Sequence, residues 1–539
     1  MLRPKSSVFR YSQRYSSNFV KACGFYEGTS SQDFAKKTFL IGEGEAKTSY
    51  GAMNHKIGQY AAILHSKYNL QKGDRLLSRT SKSIDTVALY FATLRLGAIY
   101  IPLNPQYTTR ETKHFVEDGE PKVFVTNEFN NDKEFQGQVS SVVDEGKLAT
   151  EAHDQKAALE VENVQSDDIA SILYTSGTTG TPKGAMLTHN NLQSNAEACA
   201  DIWKFTEKDV MLHTLPFFHI HGMCISIGCT LMSKSSAIFR PKFVVEDALQ
   251  HMPKSTVFIG VPTYFGRLMA DANFNDTAFK NIRLFVSGSA PLSSALWESF
   301  RCHTSQPILE RYGMSETLVS TSNPIDPIGR VPGSVGTAIP NTQVRIGDKG
   351  VVEVKGPGVF KGYWKLPEKT KSEFTADGFF RTGDVGEIDN QGRLFLKARE
   401  KDVIISGGLN IYPKEVEDII EAANLVKEVA VIGVPHPDFG EAVVAVCLLC
   451  VTTNGLLVVL GETREMTFVK LTSVLFWLMQ KTNLYGLTII IVANGLITGD
   501  QERRKEDDSD SNSAISLFPT EADASNPLGN RAKIIGMKA

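Results

Sequence analysis

Tyr174-Thr-Ser-Gly-Thr-Thr-Gly-Thr-Pro-Lys-Gly184 follows directly on a short apolar run, Ile169 to Leu173. The segment combines three glycines and five Ser and Thr side chains with one lysine, Lys183. Backbone amides that are free of side chains can surround a phosphate, hydroxyl groups add donors, and the lysine adds positive charge. A Walker-type loop needs glycine directly before its lysine, whereas here Pro182 stands in that position. The segment therefore predicts a phosphate-binding loop of another kind, placed after a strand.

Outward from this loop, helix-like and strand-like segments alternate. Tyr60–Lys67 and Val87–Gly97 have the apolar spacing of helices, and Ala98–Pro102 and Lys122–Thr126 are short apolar runs typical of strands. Similar short runs recur as far as Ile308. Such alternation predicts a layered α/β domain with parallel strands.

After Asn341 the pattern changes to hairpins. Gly350–Gly356 and Gly392–Lys397 are typical of antiparallel strands between tight turns. From Lys401 onward a strand, a helix (Pro413–Ala423) and two further strands predict a small α+β domain, and proline suits the first turn of that helix. Residues 451–539 do not continue this pattern, because an apolar stretch without a regular period is followed by a charged run and a polar end.

Composition excludes some classes of protein. With 539 residues, 42% apolar and 22% charged, the chain is typical of a multidomain globular protein. A formal net charge of −3 gives no bulk attraction to nucleic acid. Seven scattered cysteines do not suggest a disulfide framework, and Cys447-Leu-Leu-Cys450 lacks the second pair that a zinc site usually has.

The N-terminus has the composition of a mitochondrial transit peptide. It is rich in serine, has no acidic residue before Glu27, and contains the basic residues Arg3, Lys5, Arg10, Arg14 and Lys21. A basic tail without a targeting role is the alternative. We predict a leader over residues 1–26 and a location in the mitochondrial matrix.

Four further motifs follow the loop in a fixed order. They are Ser287-Gly-Ser-Ala-Pro291, Glu310-Arg-Tyr-Gly-Met-Ser-Glu316-Thr, Thr382-Gly-Asp384 and Ala398-Arg399-Glu-Lys401-Asp402. With the loop, they resemble the AMP-forming acyl-CoA synthetase superfamily, most closely its malonyl-CoA synthetases. The resemblance implies an α/β fold with a large layered N-terminal domain (27–400), a hairpin-rich subdomain and a small mobile α+β domain. That last domain is only partly present at 401–450, and residues 451–539 are atypical.

The resemblance also implies the roles of individual residues and the substrates ATP and CoA, with Mg²⁺ as cofactor. Glu316 is implied as the metal ligand, Lys401 as the hinge, and Gly407 and Gly408 as the lining of the CoA tunnel. The residues implied to be catalytic are Thr175, Lys183, Glu316 and Arg399. Those implied to bind ATP and AMP are Thr175, Ser176, Gly177, Thr178, Thr179, Gly180, Lys183, Ser289, Ala290, Tyr312, Gly313, Ser315, Asp384 and Arg399.

The acid substrate is predicted from two arginines. The position before Tyr312 is small in most fatty and aromatic acid ligases, whereas here it is Arg311. A guanidinium can hold a second carboxylate through two parallel bonds, so we predict malonate, or methylmalonate, with Arg267 as a second candidate and His219 on the pocket wall. If both arginines pair with protein acids instead, the substrate is a medium-chain or other monocarboxylate. His219-Ile-His221 could also be read as a metal pair, but no third ligand lies nearby in sequence.

One family feature is missing. Relatives carry a lysine in a Pro-Arg-Asn-x-x-Gly-Lys context near the C-terminus, and the letters around Lys533 stand in a different order. A catalytically impaired form that binds nucleotide or acid is therefore a second hypothesis. The uncharged stretch from Thr482 to Gly499 has about the minimum length of a membrane span, but it contains several Asn and Gly residues, so we predict no membrane partner.

Overall fold

The computed structural model describes residues 18–25, 32–176, 181–406, 408–422, 426–436, 440–449 and 488–492. The chain divides into two compact units, Met1–Leu396 and Lys397–Ala539. This division lies close to the hinge that the sequence predicts at Lys401.

The helices and strands of the described residues follow in chain order. The strands up to the unit boundary are β1 (Thr38–Ile41), β2 (Lys47–Ser49), β3 (Arg75–Arg79), β4 (Ile99–Pro102), β5 (Val123–Thr126), β6 (Ser141–Asp144), β7 (Ile169–Ser176), β8 (Pro182–Thr188), β9 (Val210–His213), β10 (Ser236–Phe239), β11 (Val257–Gly260), β12 (Leu284–Ser287), β13 (Leu309–Met314), β14 (Leu318–Ser322), β15 (Thr337–Ala338), β16 (Gln343–Ile346), β17 (Val351–Lys355), β18 (Gly362–Tyr363), β19 (Phe380–Ile388) and β20 (Leu394–Arg399). The second unit has β21 (Ile404–Ser406), β22 (Leu409–Ile411), β23 (Val426–His436), β24 (Gly440–Leu449) and β25 (Thr488–Val492). The helices are α1 (Phe19–Ala22), α2 (Gln32–Lys36), α3 (Tyr50–Ser66), α4 (Ile84–Arg95), α5 (Thr109–Gly119), α6 (Phe129–Asp132), α7 (Glu145–His153), α8 (His189–Ile202), α9 (Ile227–Met232), α10 (Val245–His251), α11 (Pro262–Met269), α12 (Asp276–Phe279), α13 (Ser294–Thr304), α14 (Pro367–Glu373) and α15 (Pro413–Ala422).

Two sheets of the first unit have parallel centres. One runs β15-β14-β13-β12-β11-β9-β10-β1-β2, and its strands from β13 to β1 are parallel. The other runs β18-β8-β7-β4-β3-β5-β6, with β7, β4, β3, β5 and β6 parallel. Antiparallel strands lie at both edges of the first of these sheets and at the β18 edge of the second, whose other edge strand, β6, is parallel to β5. The parallel centres agree with the alternation seen in the sequence.

The hairpin-rich part lies where the sequence predicts it. β16, β17 and β19 pair antiparallel, and β20 completes the order β16-β17-β19-β20. β17 and β20 fall on the two hairpin segments expected after Asn341. This sheet carries Asp384 on β19.

Local capping connects the phosphate-loop hairpin to a buried helix. Thr188 ends β8 and begins α8: its hydroxyl accepts from the Asn191 amide, while the Asn191 side chain accepts from the Thr188 amide. This reciprocal pair satisfies two amides that the helix start leaves without partners. The helix continues almost fully buried and places Cys199 in the core.

Residues 18–25 belong to the core of the first unit. Phe19, Val20 and Phe25 are buried, the Phe19 amide donates to His189 Nδ1 at 3.3 Å, and Arg95 Nη2 donates to the Phe25 carbonyl at 2.9 Å. Burial lowers the pKa of His189 to about 4, so its ring is neutral and can accept this bond. The leader predicted over residues 1–26 overlaps this packed segment. The leader remains a prediction, and this core persists only if cleavage falls before residue 18.

In the second unit, one helix covers a small sheet. β23 and β24 pair antiparallel, and β25 lies parallel to β24. Val416 and Ile420 of α15 pack with Val431, Val443 and Cys447 of the sheet. β25 falls inside the uncharged stretch from Thr482 to Gly499, and no helix among the residues described has the length and apolar character needed to cross a membrane.

Candidate active site

The β7–β8 hairpin holds the two ends of the phosphate-like loop. Thr175 pairs with Lys183, and Ser176 pairs with Pro182. Directly opposed residues of an antiparallel pair place their side chains on the same face, so Thr175 and Lys183 project to one side of the hairpin. The Lys183 Nζ lies 4.8 Å from the centroid of the Tyr363 ring. Gly177, Thr178, Thr179 and Gly180 lie outside the described residues.

Glu316 meets this hairpin. Its Oε1 accepts from the Thr175 hydroxyl at 3.1 Å and from the Tyr363 hydroxyl at 3.0 Å. The residue is 3% exposed, and this burial raises the pKa of Glu316, while the two hydroxyls and Lys183 act in the opposite direction. The structure thus brings together three residues to which the resemblance gives phosphate and metal roles, and adds Tyr363.

Tyr312 and Asp384 form a second buried pair. The Tyr312 hydroxyl donates to Asp384 Oδ2 at 2.5 Å, and the amide of Asp384 donates to Thr382 Oγ1 at 3.1 Å. Tyr312 lies on β13 and Asp384 on β19, so two motifs implied for adenine and ribose meet across separate sheets. Gly313 follows Tyr312 where a Cβ would lie 1.6 Å from the Leu318 carbonyl oxygen, so the β13–β14 hairpin has room only for glycine there.

The turn after β12 adopts an unusual backbone. Ser289 has φ of +71°, a region uncommon for residues other than glycine and often found at functional sites. Its Oγ lies 3.0 Å from Nδ1 of His221, which is 3% exposed. Burial, and next Arg311, lower the pKa of His221 well below its ordinary value, so the ring is neutral. Ser289 and Ala290 are both exposed, and they follow β12 at the carboxyl edge of the parallel strands.

Arg311 is buried directly beneath this turn. It is 2% exposed, and a Cβ at residue 288 would lie 2.5 Å from its Cζ, so the guanidinium lies against Gly288. Burial lowers the pKa of Arg311 to about 10. The nearby thiols include Cys229, whose pKa burial raises well above its ordinary value, so that thiol supplies no negative charge.

Several polar atoms around Arg311 have no hydrogen-bond partner in the part of the chain that the structure describes. They are Arg311 Nε and Nη2, His221 Nε2 and Ser287 Oγ. Buried charges and polar groups are normally paired, because leaving a donor unsatisfied in the interior costs about 1–3 kcal/mol and more for a charge. A small anion that accepts from two guanidinium nitrogens and a neutral imidazole would satisfy this cluster.

Other predicted residues are placed elsewhere. Arg267 is exposed on α11 and has no ion-pair partner among the described residues, so it does not share the buried environment of Arg311. His219 is exposed, and Ser315 is half-buried beside Glu316. Arg399, Lys401 and Gly408 belong to the second unit, where Arg399 and Lys401 are exposed and Gly408 has φ of +80°. Ser176 ends β7, and Gly407 lies outside the described residues.

Two site residues received no role of their own from the sequence. Tyr363 was assigned none, and His221 was placed only within the segment Phe217–Gly222, which resembles the acyl-pocket wall of relatives, with a His-x-His metal pair as the alternative. Both act on residues far along the chain, 47 positions away for Tyr363 and Glu316 and 68 positions for His221 and Ser289. That resemblance was the available signal for His221. The alternative, a metal pair, finds no group of three possible ligands in the part of the chain that the structure describes, and His221 contacts the Ser289 hydroxyl instead.

The donor set agrees with a magnesium ion that is bound mainly by substrate phosphates. No group of three or more His, Cys, Asp or Glu residues converges on a metal position within the described ranges. Mg²⁺ commonly takes one or two carboxylates and completes its octahedron with water and phosphate oxygens. Glu316, a buried hard-oxygen ligand next to the loop hairpin, fits that arrangement.

Comparison with known proteins places these observations in a family. Residues 29–364 match the family described as AMP-binding enzyme. The mitochondrial malonate–CoA ligase ACSF3 of Mus musculus is 32% identical over 70% of this chain and 73% of its own length. A long-chain-fatty-acid–CoA ligase of Bacillus subtilis is 31% identical over 78% and 84%. The crystal structure of ATP-bound MatB from Rhodopseudomonas palustris has a TM-score of 0.81 and 39% identity over 89% of this chain and 95% of that one.

The chain belongs to the AMP-binding enzyme family, and its relatives place it among the acid–thiol ligases of that family. The predicted mixed α/β fold with a large N-terminal domain is confirmed by the similarity to MatB. The relatives act on acids as different as malonate and long-chain fatty acids, so the family leaves the acid open.

Proposed function

We propose that the protein joins malonate to CoA in an ATP-dependent reaction that passes through an acyl-adenylate and releases AMP and pyrophosphate. A carboxylate of malonate attacks the α-phosphorus of ATP, and the CoA thiol then displaces AMP. Methylmalonate, which differs by one methyl group, is the nearest alternative acid.

The observation that carries the choice of acid is the burial of Arg311. Its guanidinium is 2% exposed, and Nε and Nη2 lack partners among the residues described. A buried guanidinium needs a carboxylate, and malonate and methylmalonate, unlike acetate or a fatty acid, keep a second carboxylate when the first one reacts. The neutral ring of His221 adds a further donor position beside it. A long alkyl chain would leave this charge unpaired.

The residues around the loop hairpin support the ATP half of the proposal. Lys183 would neutralise phosphate charge, Glu316 would hold Mg²⁺, and Asp384 would accept from ribose hydroxyls. Thr175 and Tyr363 keep the Glu316 carboxylate in one orientation through bonds to a single oxygen. In-line displacement at phosphorus depends on such positioning and charge neutralisation more than on covalent help. Bound Mg²⁺ would supply further neutralisation of the phosphates.

Roles in the second unit and the cellular location are part of the proposal. Arg399 would reach ribose and phosphate, Lys401 would act as the hinge, and Gly407 and Gly408 would line the CoA tunnel. The basic N-terminus and the name of the mitochondrial relative support a matrix location.

AMP release from the full chain tests the proposal. With ATP, Mg²⁺ and CoA present, malonate should support release, while acetate and octanoate should be poorer by roughly 10⁴-fold, since neither can pair the buried charge. Arg311→Met should abolish the preference. Arg267→Met is the matched control, because this arginine is exposed, and it should leave the reaction unchanged.

The other outcomes separate the remaining hypotheses. Release with octanoate at least equal to that with malonate would overturn the choice of acid and favour an ordinary fatty-acid ligase. ATP binding without AMP release for any acid would favour the impaired form, which the missing Pro-Arg-Asn-x-x-Gly-Lys context already suggests. Loss of malonate activity in Arg267→Met but not in Arg311→Met would show that the wrong arginine has been chosen.

A further inference from the structure

A cavity of about 340 Å³ in the first unit lies next to the Arg311 region along the chain. Its wall includes Asn104, Phe218, Tyr264 and two lysines, Lys82 and Lys242. Phe218 and His221 are three positions apart in sequence, a distance of at most about 11 Å along an extended chain. The cavity wall therefore comes close to the residues around Arg311.

Lys82 is the chemically unusual group in this wall. It is half-buried, its Nζ donates to the His213 carbonyl at 3.0 Å, and the Phe239 ring centroid lies 4.5 Å away. No carboxylate of the described residues forms an ion pair with it. The adjacent Arg240 already binds Asp247 through two bonds, of 2.9 Å and 2.6 Å.

These surroundings favour the neutral amine. Burial, and secondly the positive charge of Arg240, lower the pKa of Lys82 well below its ordinary value. The ring face of Phe239 favours the ammonium form, but such a contact contributes only about 0.5–2 kcal/mol. A half-buried amine that lines a cavity and has no carboxylate partner among the described residues can act as a nucleophile, as lysines in apolar pockets of enzymes do.

We infer that Lys82 is acylated by an acyl thioester that enters this cavity. The amine nitrogen attacks the thioester carbonyl carbon, an amide C–N bond forms, and the C–S bond breaks. The sulfur leaves with the bonding electron pair and takes up the proton that the nitrogen loses, so the products are an acyl-lysine and a free thiol. That the acyl group is malonyl rests on the proposed function, whereas the site itself does not.

Acylation would change both the charge and the volume of the cavity. The amide removes the cation of Lys82, and a malonyl group adds a carboxylate beside Lys242 and Arg240. The cavity also loses the volume of the acyl group. The modified enzyme would therefore hold an acyl group derived from its own product, covalently attached next to its acid site.

Peptide mass spectrometry on the full chain tests this inference. The protein is incubated with malonyl-CoA in the absence of ATP, and the rate of acylation is followed at Lys82 and at Lys242. Lys242 is the matched control, because it lines the same cavity but is exposed. We expect acylation at Lys82 to be faster than at Lys242, because burial lowers the pKa of Lys82 and so raises the fraction of its free amine. Equal or faster acylation at Lys242 would overturn the inference.

A variant and a second readout distinguish this inference from the proposed function. Lys82→Arg removes the nucleophile but keeps a cation, so the signal from that peptide should vanish while labelling of Lys242 continues. Because malonyl-CoA is supplied ready-made, labelling does not depend on the chain making it. Labelled Lys82 without malonate-dependent AMP release would defeat the proposed function alone. AMP release with Lys82 unlabelled would defeat this inference alone, and acetyl-CoA in parallel shows whether the site selects its acyl group.

Discussion

Replacing Gly288 with alanine tests whether the position of Arg311 determines the acid. A Cβ at residue 288 would lie 2.5 Å from both Cζ and Nε of Arg311 and 3.0 Å from Cδ. Non-bonded heavy atoms rest about 3.5–4.0 Å apart, so the contact has to lengthen by about 1 Å. The backbone around Gly288 is fixed in the sheet edge, because its amide donates to the Gly260 carbonyl at 3.3 Å. The guanidinium is therefore the group that moves.

The magnitude follows from that displacement. Misplacing a positioning group by about 1 Å costs on the order of 10²-fold in rate. This factor corresponds to about 2.7 kcal/mol of transition-state stabilisation. We expect kcat/KM for malonate to fall by about that factor. The contacts of Glu316 with Thr175 and Tyr363 do not involve residue 288, so ATP should still bind.

The assay is malonate-dependent AMP release, with ATP binding measured separately. Gly266→Ala on α11 is the matched control, because a Cβ there meets nothing within 4 Å, and its effect should stay within about twofold. The decisive comparison adds Arg311→Met. If Gly288→Ala acts through Arg311, its cost should largely disappear in that background. An undiminished kcat/KM in the single variant, or the same loss in both backgrounds, would refute the reasoning.

Two further predictions concern the carboxylate at the loop and the N-terminal segment. Tyr363→Phe removes a hydrogen bond that lowers the pKa of Glu316, so without it this pKa should rise further. The deprotonated fraction of Glu316 then falls at a given pH, and the acid limb of the pH–rate profile should move to higher pH. An unmoved acid limb would contradict the role given to Glu316. Phe19→Ala should lower the free energy of unfolding, measured in denaturant, by about 3–5 kcal/mol. The control is Ile328→Ala, at a position 92% exposed, which should change this free energy by no more than about 0.5 kcal/mol. Equal effects of the two substitutions would show that residues 18–25 are not part of the core.

Much of the fold and part of the site could be predicted because their signals are local. The alternation of helices and strands follows from periodicity within windows of about ten residues. The β7–β8 hairpin is contained in one continuous segment, as is the Tyr312 to Glu316 stretch. Parallel strands also place their carboxyl ends at one edge, which brings the residues after β12 near those at the end of β13.

The remaining contacts have no local signal. Tyr363 reaches Glu316, and His221 reaches Ser289, through packing between elements that are far apart in sequence. Periodicity describes one element at a time and cannot say which elements will meet. The N-terminal segment shows the same limit, because a basic, serine-rich composition describes residues 1–26 as a whole and does not reveal that Phe19 and Phe25 are buried.

Local sequence patterns could have distinguished Arg267 from Arg311 as candidates for binding the substrate carboxylate. Phe265 and Leu268 form the buried face of α11, and Arg267 lies between them in sequence but about a third of a turn away around the helix. Helical geometry alone therefore points Arg267 outward. Arg311 lies on β13, between parallel and antiparallel neighbours in the interior of a sheet, where both faces are covered. The buried position therefore favours Arg311 over Arg267 as the partner of a desolvated carboxylate.

The burial of Arg311 also predicts whether its replacement raises or lowers the free energy of unfolding. A charge without an ion pair in the interior costs desolvation free energy, and replacing buried charged groups by apolar residues of similar volume is often neutral or stabilising, by about 1–4 kcal/mol. Arg311→Met should therefore leave the ligand-free protein as stable as before or more stable, while it removes the preference for malonate. Malonate, in turn, should raise the melting temperature of the unsubstituted protein but not of the variant, because a ligand stabilises only the state that binds it. A structural arginine would behave in the opposite way, since its loss would lower stability with or without malonate. A substitution that keeps or raises the stability of the ligand-free protein but removes the preference for malonate therefore indicates a residue whose role is to bind the ligand.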